Sequence, residues 1–224
     1  YKYLSDETNE FPLRVTNLCK CYNGKTVVDN VSFNIKAGEC FGLLGSNGAG
    51  KTTTFGILSG EISLSRASLL RIGNLGLIGY CPQDNTFDEL LTVGETFEIN
   101  GMIQGYNGEK LTEMIKKHLH KYHLSDHENK LTKFLSGGYK RLVCLALSTF
   151  NDYKLILLDE PTAGIDQKLR QIIHILLKSE IEKGRALLLT THCLEDCEYL
   201  CSRIAIMNEG STFYEGTLEE FANL

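Results

Sequence analysis

The stretch CFGLLGSNGAGKTTTFGIL at 40–58 decides the fold. Its first five residues form a short apolar run with the length and texture of a buried strand. Residues 45–52, GSNGAGKT, fill every position of the pattern GxxxxGK[ST]. Glycines there let backbone N–H groups turn inward onto phosphate oxygens, and the helix that follows adds the positive end of its dipole. Lys51 is then placed to reach the β- and γ-phosphates, and the Thr52 hydroxyl to ligate Mg²⁺. Gly45, Ser46, Asn47, Gly48, Ala49, Gly50, Lys51, Thr52 and Thr53 form the candidate nucleotide cradle. A strand before the loop and a helical pattern over 51–58 after it give a context that a chance glycine loop lacks.

Upstream, residues 11–43 alternate like strands. Val27, Val31, Phe33 and Ile35 carry a period-two apolar pattern, and Asn23-Gly24 and Ala37-Gly38 are turn signals. Downstream, over 92–138, charged residues and histidines interleave with Leu111, Met114, Ile115 and Leu119 at helical spacing, which reads as an inserted helical subdomain. A helix over 139–150 then feeds a strand at 154–159. Next come a helix at 167–183, a strand at 186–190, a helix at 194–200 and a strand at 203–214. This alternation predicts an α/β fold, a parallel sheet with helices on both faces. The chain reads as a single domain over 1–224, with a small antiparallel β-subdomain at about 11–38 and 62–80 and the helical subdomain at about 84–140.

The bulk composition agrees with one large domain: 224 residues, 42% hydrophobic and 23% charged. A net charge of −5, with basic residues scattered, gives no pull toward nucleic acid, and none is expected as a partner. No apolar run approaches the roughly 18 residues a membrane span needs. The first residue is Tyr1 and no signal peptide follows, so a domain cut from a longer chain is expected. Most of the eight cysteines lie inside apolar patterns, which fits reduced thiols in a cytosolic protein.

A second motif is LILLDE at 155–160. Four apolar residues make a buried strand that delivers Asp159 to a metal, through water, and places Glu160 as general base for an attacking water. An Asp-Glu pair after an apolar run is ordinarily a solvated acidic turn. The phosphate loop in the same chain changes that reading.

LSGG at 135–138, together with GSNGAGKT and LILLDEPTAGID at 155–166, resembles the nucleotide-binding domain of the ATP-binding cassette family over essentially the whole chain. The resemblance implies a P-loop NTPase (RecA-like) core, ATP and Mg²⁺ as cofactors, and work in head-to-tail pairs. Ser136, Gly137 and Gly138 of one cassette would close over the γ-phosphate of ATP held by a second. Tyr22 matches the aromatic that stacks on adenine. Gln83, in GYCPQD, matches the glutamine that contacts Mg²⁺ and senses the membrane partner. Asp166 matches the residue that touches the opposite subunit, and it also suits a helix N-cap. His192, in TTHCLEDC, matches the histidine that contacts the γ-phosphate. The implied catalytic set is Glu160, His192, Lys51 and Gln83, and the metal set is Thr52, Gln83 and Asp159. A narrower resemblance to subfamily A, whose eukaryotic members mostly move lipids, rests on GYCPQD, GGYKR at 137–141 and CSRIAIMNEG at 201–210. Three departures stand out. Tyr139 replaces a glutamine common in the family, and Gln167 replaces a proline. The stretch 51–83 is short, as if a connection were missing between a strand at 67–73 and Leu77.

Two constellations are declined as sites. Cys193, Cys197 and Cys201 recur every fourth residue on what reads as an apolar helix face, where cysteine acts as a small hydrophobe. His118, His120, His123 and His127 read as a solvated helical face. The resulting expectation is a transporter motor, membrane-associated on the cytosolic face, coupled to transmembrane domains, fused or separate, through a groove near Gln83 and residues 87–93. The alternative is a non-transport cassette acting on ribosomes or DNA. One cassette without a charged linker, the absence of sustained heptads and the acidic charge all weigh against it. A degenerate binding module is disfavoured because every catalytic position is filled.

Overall fold

The structure, a computed structural model, describes residues 11–65, 69–72 and 78–223. Strands β1 (Leu13–Tyr22) and β2 (Lys25–Ile35) form an antiparallel hairpin. Its turn is Asn23-Gly24, both with left-handed φ (48° and 81°), the geometry that matches the right-handed twist of the flanking strands. Strand β3 (Cys40–Gly45) runs into the phosphate loop and helix α1 (Lys51–Ser59). Strand β4 (Leu69–Ile72) then pairs with the free edge of β1, giving the order β2-β1-β4. The connection inferred as missing after 73 lies outside the described residues.

The second sheet is built from β3, β5 (Gly79–Cys81), β6 (Leu155–Asp159), β7 (Ala186–Thr191), β8 (Arg203–Asn208) and β9 (Ser211–Gly216). Its order is β5-β6-β7-β3-β8-β9, with every pair parallel except β8–β9. The helices are α2 (Val93–Ile103), α3 (Gly108–Lys121), α4 (Gly137–Ser148), α5 (Gln167–Glu182), α6 (Leu194–Leu200) and α7 (Leu218–Ala222). Among the described residues no helix is long and apolar enough to cross a membrane.

Two cores explain why β6 reads as an unbroken apolar run. Leu155 and Leu157 enter the core shared with Phe41, Leu43, Phe55 and the β1–β2 hairpin. Ile156 and Leu158 enter the opposite core, with Phe97, Leu119, Val143 and Ile173. A parallel sheet covered on both faces has no polar side to alternate with.

The structure corrects four expectations. Val27 leaves the period of Val31, Phe33 and Ile35. Between the pairs Leu18–Val31 and Lys20–Val28, two residues of β2 (Asp29 and Asn30) face one of β1 (Cys19), with Asn30 at φ 55°, and this bulge buries Val28 instead. Gly79 and Tyr80, expected with the antiparallel part, pair with Ile156 and Leu157 in the parallel sheet. Residues 203–214 are two strands, because Glu209 and Gly210 both take left-handed φ (46° and 84°) and reverse the chain. His118 is not on a solvated face: it is largely enclosed and its ring packs against Phe97, Tyr122 and Phe150.

Candidate active site

Residues 46–50 leave the end of β3 and turn tightly into α1. At Gly50, φ is 101° and an added Cβ would lie 2.8 Å from the Val27 carbonyl, so strain and crowding both require glycine there. Phe55, Ile57 and Leu58 bury the far side of α1 and fix its N-terminus against the loop. Lys51 is buried. Its Nζ donates to the Gly45 carbonyl at 2.6 Å and the Ser46 carbonyl at 3.2 Å, which holds the ammonium inside the loop.

β6 and β7 present the acidic side. Thr190 Oγ1 donates to Asp159 Oδ1 and accepts the Glu160 N–H at 3.0 Å, so one hydroxyl fixes both acidic residues. Glu160 is nearly buried and has φ 49°, a conformation that costs a non-glycine residue about 1–3 kcal/mol. Its Oε2 lies 2.9 Å from His192 Nδ1. A carboxylate only accepts, so Nδ1 carries the proton and Nε2 is left for another partner. The His192 side chain is 69% exposed.

These groups converge. A cavity of about 560 Å³ is lined by Gly45, Ser46, Asn47, Gly48, Ala49, Gly50, Lys51, Thr52, Thr53, Gln83, Asp159, Glu160 and His192. Val27 and Ala163 line it too and were not anticipated; the bulge in β2 is what releases Val27 to it. The Thr52 hydroxyl, the Gln83 amide and the Asp159 carboxylate share this cavity, and hard oxygen donors of this kind fit Mg²⁺.

Five anticipated residues lie apart from the cavity lining. Tyr22 ends β1, 42% exposed, with Lys20 Nζ 4.7 Å from its ring centre. Ser136 caps α4, its Oγ accepting from Tyr139 N at 3.4 Å, and Gly137 next to it faces open space. A Cβ on Gly138 would come 2.5 Å from Leu169 Cδ2 of α5. Asp166 caps α5, accepting from Leu169 N at 3.0 Å. The N-terminal ends of α4 and α5 therefore meet at Leu169.

Two further residues organise the site and escaped the sequence reading. Arg141 on α4 is buried and donates to the backbone carbonyls of Asp159 and Pro161, on both sides of Glu160. Its only sequence signal is a basic residue opening the apolar run 141–147. Asp196 on α6 accepts from Thr162 and Thr191 hydroxyls and sits 2.7 Å from His174 Nε2, tying the segment after Glu160 to the segment before His192. Burial raises the Asp196 carboxyl, and the hydrogen bonds from His174, Thr162 and Thr191 outweigh it, so the group lies below the ordinary carboxylate range.

Known proteins resemble this chain in sequence and in fold. The model of the ABC transporter family matches residues 28–163. The chain is 38% identical over 202 residues to the human glucosylceramide transporter ABCA12, covering 86% of this chain and 8% of that protein. It is 37% identical to the human retinal-specific phospholipid-transporting ATPase ABCA4, covering 92% of this chain and 10% of that protein. It is 39% identical to the ABC transporter ced-7 of Caenorhabditis elegans, covering 95% of this chain and 13% of that protein. The chain thus spans only a small part of the curated relatives it matches. Among solved structures it superposes on an ATP binding subunit of an ABC transporter with TM-score 0.85 at 26% identity, covering 94% of this chain and 92% of the other. It also superposes on the ATP-binding cassette MJ0796, solved as a dimer bound to ADP and Pi, with TM-score 0.81 at 25% identity, covering 92% of this chain and 98% of the other. The chain belongs to the ABC transporter family, as an ATP-binding cassette.

Proposed function

We propose that this chain binds ATP with Mg²⁺ in the cavity between the phosphate loop and Glu160 and hydrolyses it to drive transport of a lipid by a membrane-embedded partner. The observation that carries the reading is the convergence of Lys51, Thr52, Gln83, Asp159, Glu160 and His192 on one cavity. Backbone N–H groups of 46–51 and the Lys51 ammonium hold the β- and γ-phosphates. Thr52, Asp159 and Gln83 would hold Mg²⁺, which would supply further neutralisation of the phosphate charge. Glu160 takes a proton from the attacking water as its oxygen bonds to the γ-phosphorus and the bond to the β–γ bridging oxygen breaks. His192, aligned by Glu160, donates toward a γ-phosphate oxygen. Tyr22 offers its exposed ring to adenine, where a stacking contact contributes about 1–3 kcal/mol by analogy with base–aromatic contacts elsewhere.

Ser136, Gly137 and Gly138 lie outside this cavity, so they are proposed to act on ATP held by a second cassette, with Asp166 facing the same partner. A groove of about 470 Å³ lined by Phe87, Leu91, Ile99 and Ile103, with Ile99 and Ile103 exposed, is the proposed seat for the transmembrane partner, at a membrane's cytosolic face. The lipid cargo is suggested by the ABCA12 and ABCA4 relatives, which are named as glucosylceramide and phospholipid transporters.

Glu160→Gln tests the chemistry. Nucleotide affinity is expected to persist while turnover falls about 100-fold or more, the scale of a lost general base. Fluorescent-nucleotide binding and phosphate release measure the two. Unchanged phosphate release would remove Glu160 from the base role.

A further inference from the structure

We propose that Arg141 is a positioning residue that locks the helix beginning at Ser136 to the metal side and the base side of the same chain's ATP site. This rests on the ATP-site reading above. Arg141 is 5% exposed and, among the described residues, makes no ion pair with a carboxylate. A buried guanidinium in that position is tolerated only when its N–H groups are matched. Here they are matched by four backbone carbonyls from two separate segments, 82–83 and 159–161. Nε donates to Pro161 O at 3.1 Å, and Nη1 to Gln83 O at 3.1 Å and to Pro82 O. Nη2 donates to Asp159 O. Pro82 and Gln83 follow β5, Asp159 ends β6, and Pro161 is bonded directly to Glu160.

The geometry has a consequence for chemistry. Gln83 and Asp159 are two of the three proposed Mg²⁺ ligands, and each is held at its own carbonyl by one rigid, planar group. Glu160 lies between two of the bonded residues, Asp159 and Pro161. All four bonds originate from α4, whose first turn carries the residues proposed to meet the second cassette's nucleotide. A shift of α4 therefore moves the backbone of the metal ligands and the base together. Lysine could not do this, because three donors on a single atom cannot match four carbonyls spread around a planar fork.

The test is Arg141→Lys in the whole chain, read by binding of a fluorescent ATP analogue in EDTA and in Mg²⁺. Arg141 makes no bond to residues 45–53, so the affinity in EDTA should be unchanged. The gain in affinity on adding Mg²⁺ should fall about tenfold or more, as when a residue supporting metal ligands is removed. Full retention of the Mg²⁺ gain overturns the proposal. So does an equal loss in EDTA and Mg²⁺, which is what a purely structural role would give. If the unsubstituted chain itself shows no nucleotide binding, the ATP-site reading fails instead. Where the variant does not fold, hydrogen exchange on the unsubstituted, nucleotide-bound chain decides. Adding Mg²⁺ should slow the amides of 83–84 and 137–141 together, and slowing at 83–84 alone overturns the coupling.

Discussion

His118 sits on the inner side of α3, with ring centroids of Phe97, Tyr122 and Phe150 at 5.8, 4.7 and 5.2 Å. Its Nε2 lies 2.7 Å from the Ala146 carbonyl, which can only accept, so the nitrogen carries the hydrogen. Burial pushes the imidazole down to about 4, against the raising effect of that hydrogen bond. The folded chain therefore keeps His118 neutral where the unfolded chain protonates it, from about pH 6.5 downward. Stability contributed by the neutral ring is complete above that pH and is lost as pH falls to about 4, by about 3 kcal/mol over the whole window. Urea unfolding at pH 7 and at pH 4.5 measures it. His118→Gln keeps an N–H donor and removes the titration, so the variant should lose less stability between the two pH values than the original chain. Equal losses would show that His118 is already protonated in the folded state. The neighbours His120 and His123 remain exposed, so one helix carries histidines of opposite environments.

At the scale of elements, the junction between β5 and α4 is the most constrained. A Cβ on Gly79 would lie 2.0 Å from the Ser148 carbonyl at the end of α4. Gly79→Ala should therefore separate β5 from α4 and cost about 1–3 kcal/mol, the usual cost of overpacking. The strand leads within two residues into Pro82 and Gln83, so the variant should also weaken the Mg²⁺ dependence of nucleotide binding. Thermal unfolding and binding titrations read the two effects; a full-strength Mg²⁺ dependence would mean that β5 does not set the position of Gln83. This junction also marks where sequence reading ends. β6 and β7 were legible because burial on both faces leaves continuous apolar runs, and α5 and α6 because their buried residues recur at helical spacing. β5 is three residues long, and its parallel neighbour is fixed by contacts far away in the chain. The bulge at Asn30 and the reversal at Glu209-Gly210 were missed because each depends on a left-handed backbone at a residue other than glycine. In the site, the lining residues belonging to contiguous motifs were readable. Arg141 and Thr190 were not, because their roles are hydrogen bonds to backbone and side chains brought near only by folding.

For the whole molecule, the proposed reading needs a second cassette, and electrostatics says how two copies should meet. Ser136 and Gly137 are exposed at the start of α4, with open space beside Gly137, so this surface is accessible to another chain. Each copy carries a net charge of −5, which becomes −4 when Glu160 is replaced by glutamine, and the nucleotide phosphates between them are anionic as well. The long-range term between identical copies is then repulsive, while the hydrogen bonds that would close over the phosphates act at short range and are little screened. Screening shortens the repulsion to about 10 Å at 0.1 M salt and less at higher salt. A homodimer of the Glu160→Gln variant with Mg²⁺ and ATP should therefore tighten as NaCl rises from about 0.05 to about 0.3 M, opposite to an association driven by unlike charges. Sedimentation velocity across that range, with ATP and with ADP, measures it. An ATP-dependent dimer that tightens with salt supports pairing between identical copies. A dimer that weakens with salt would mean that local charge complementarity at the joined faces outweighs the net repulsion. A chain that stays monomeric with ATP at every salt concentration would point to a non-identical cassette as the natural partner.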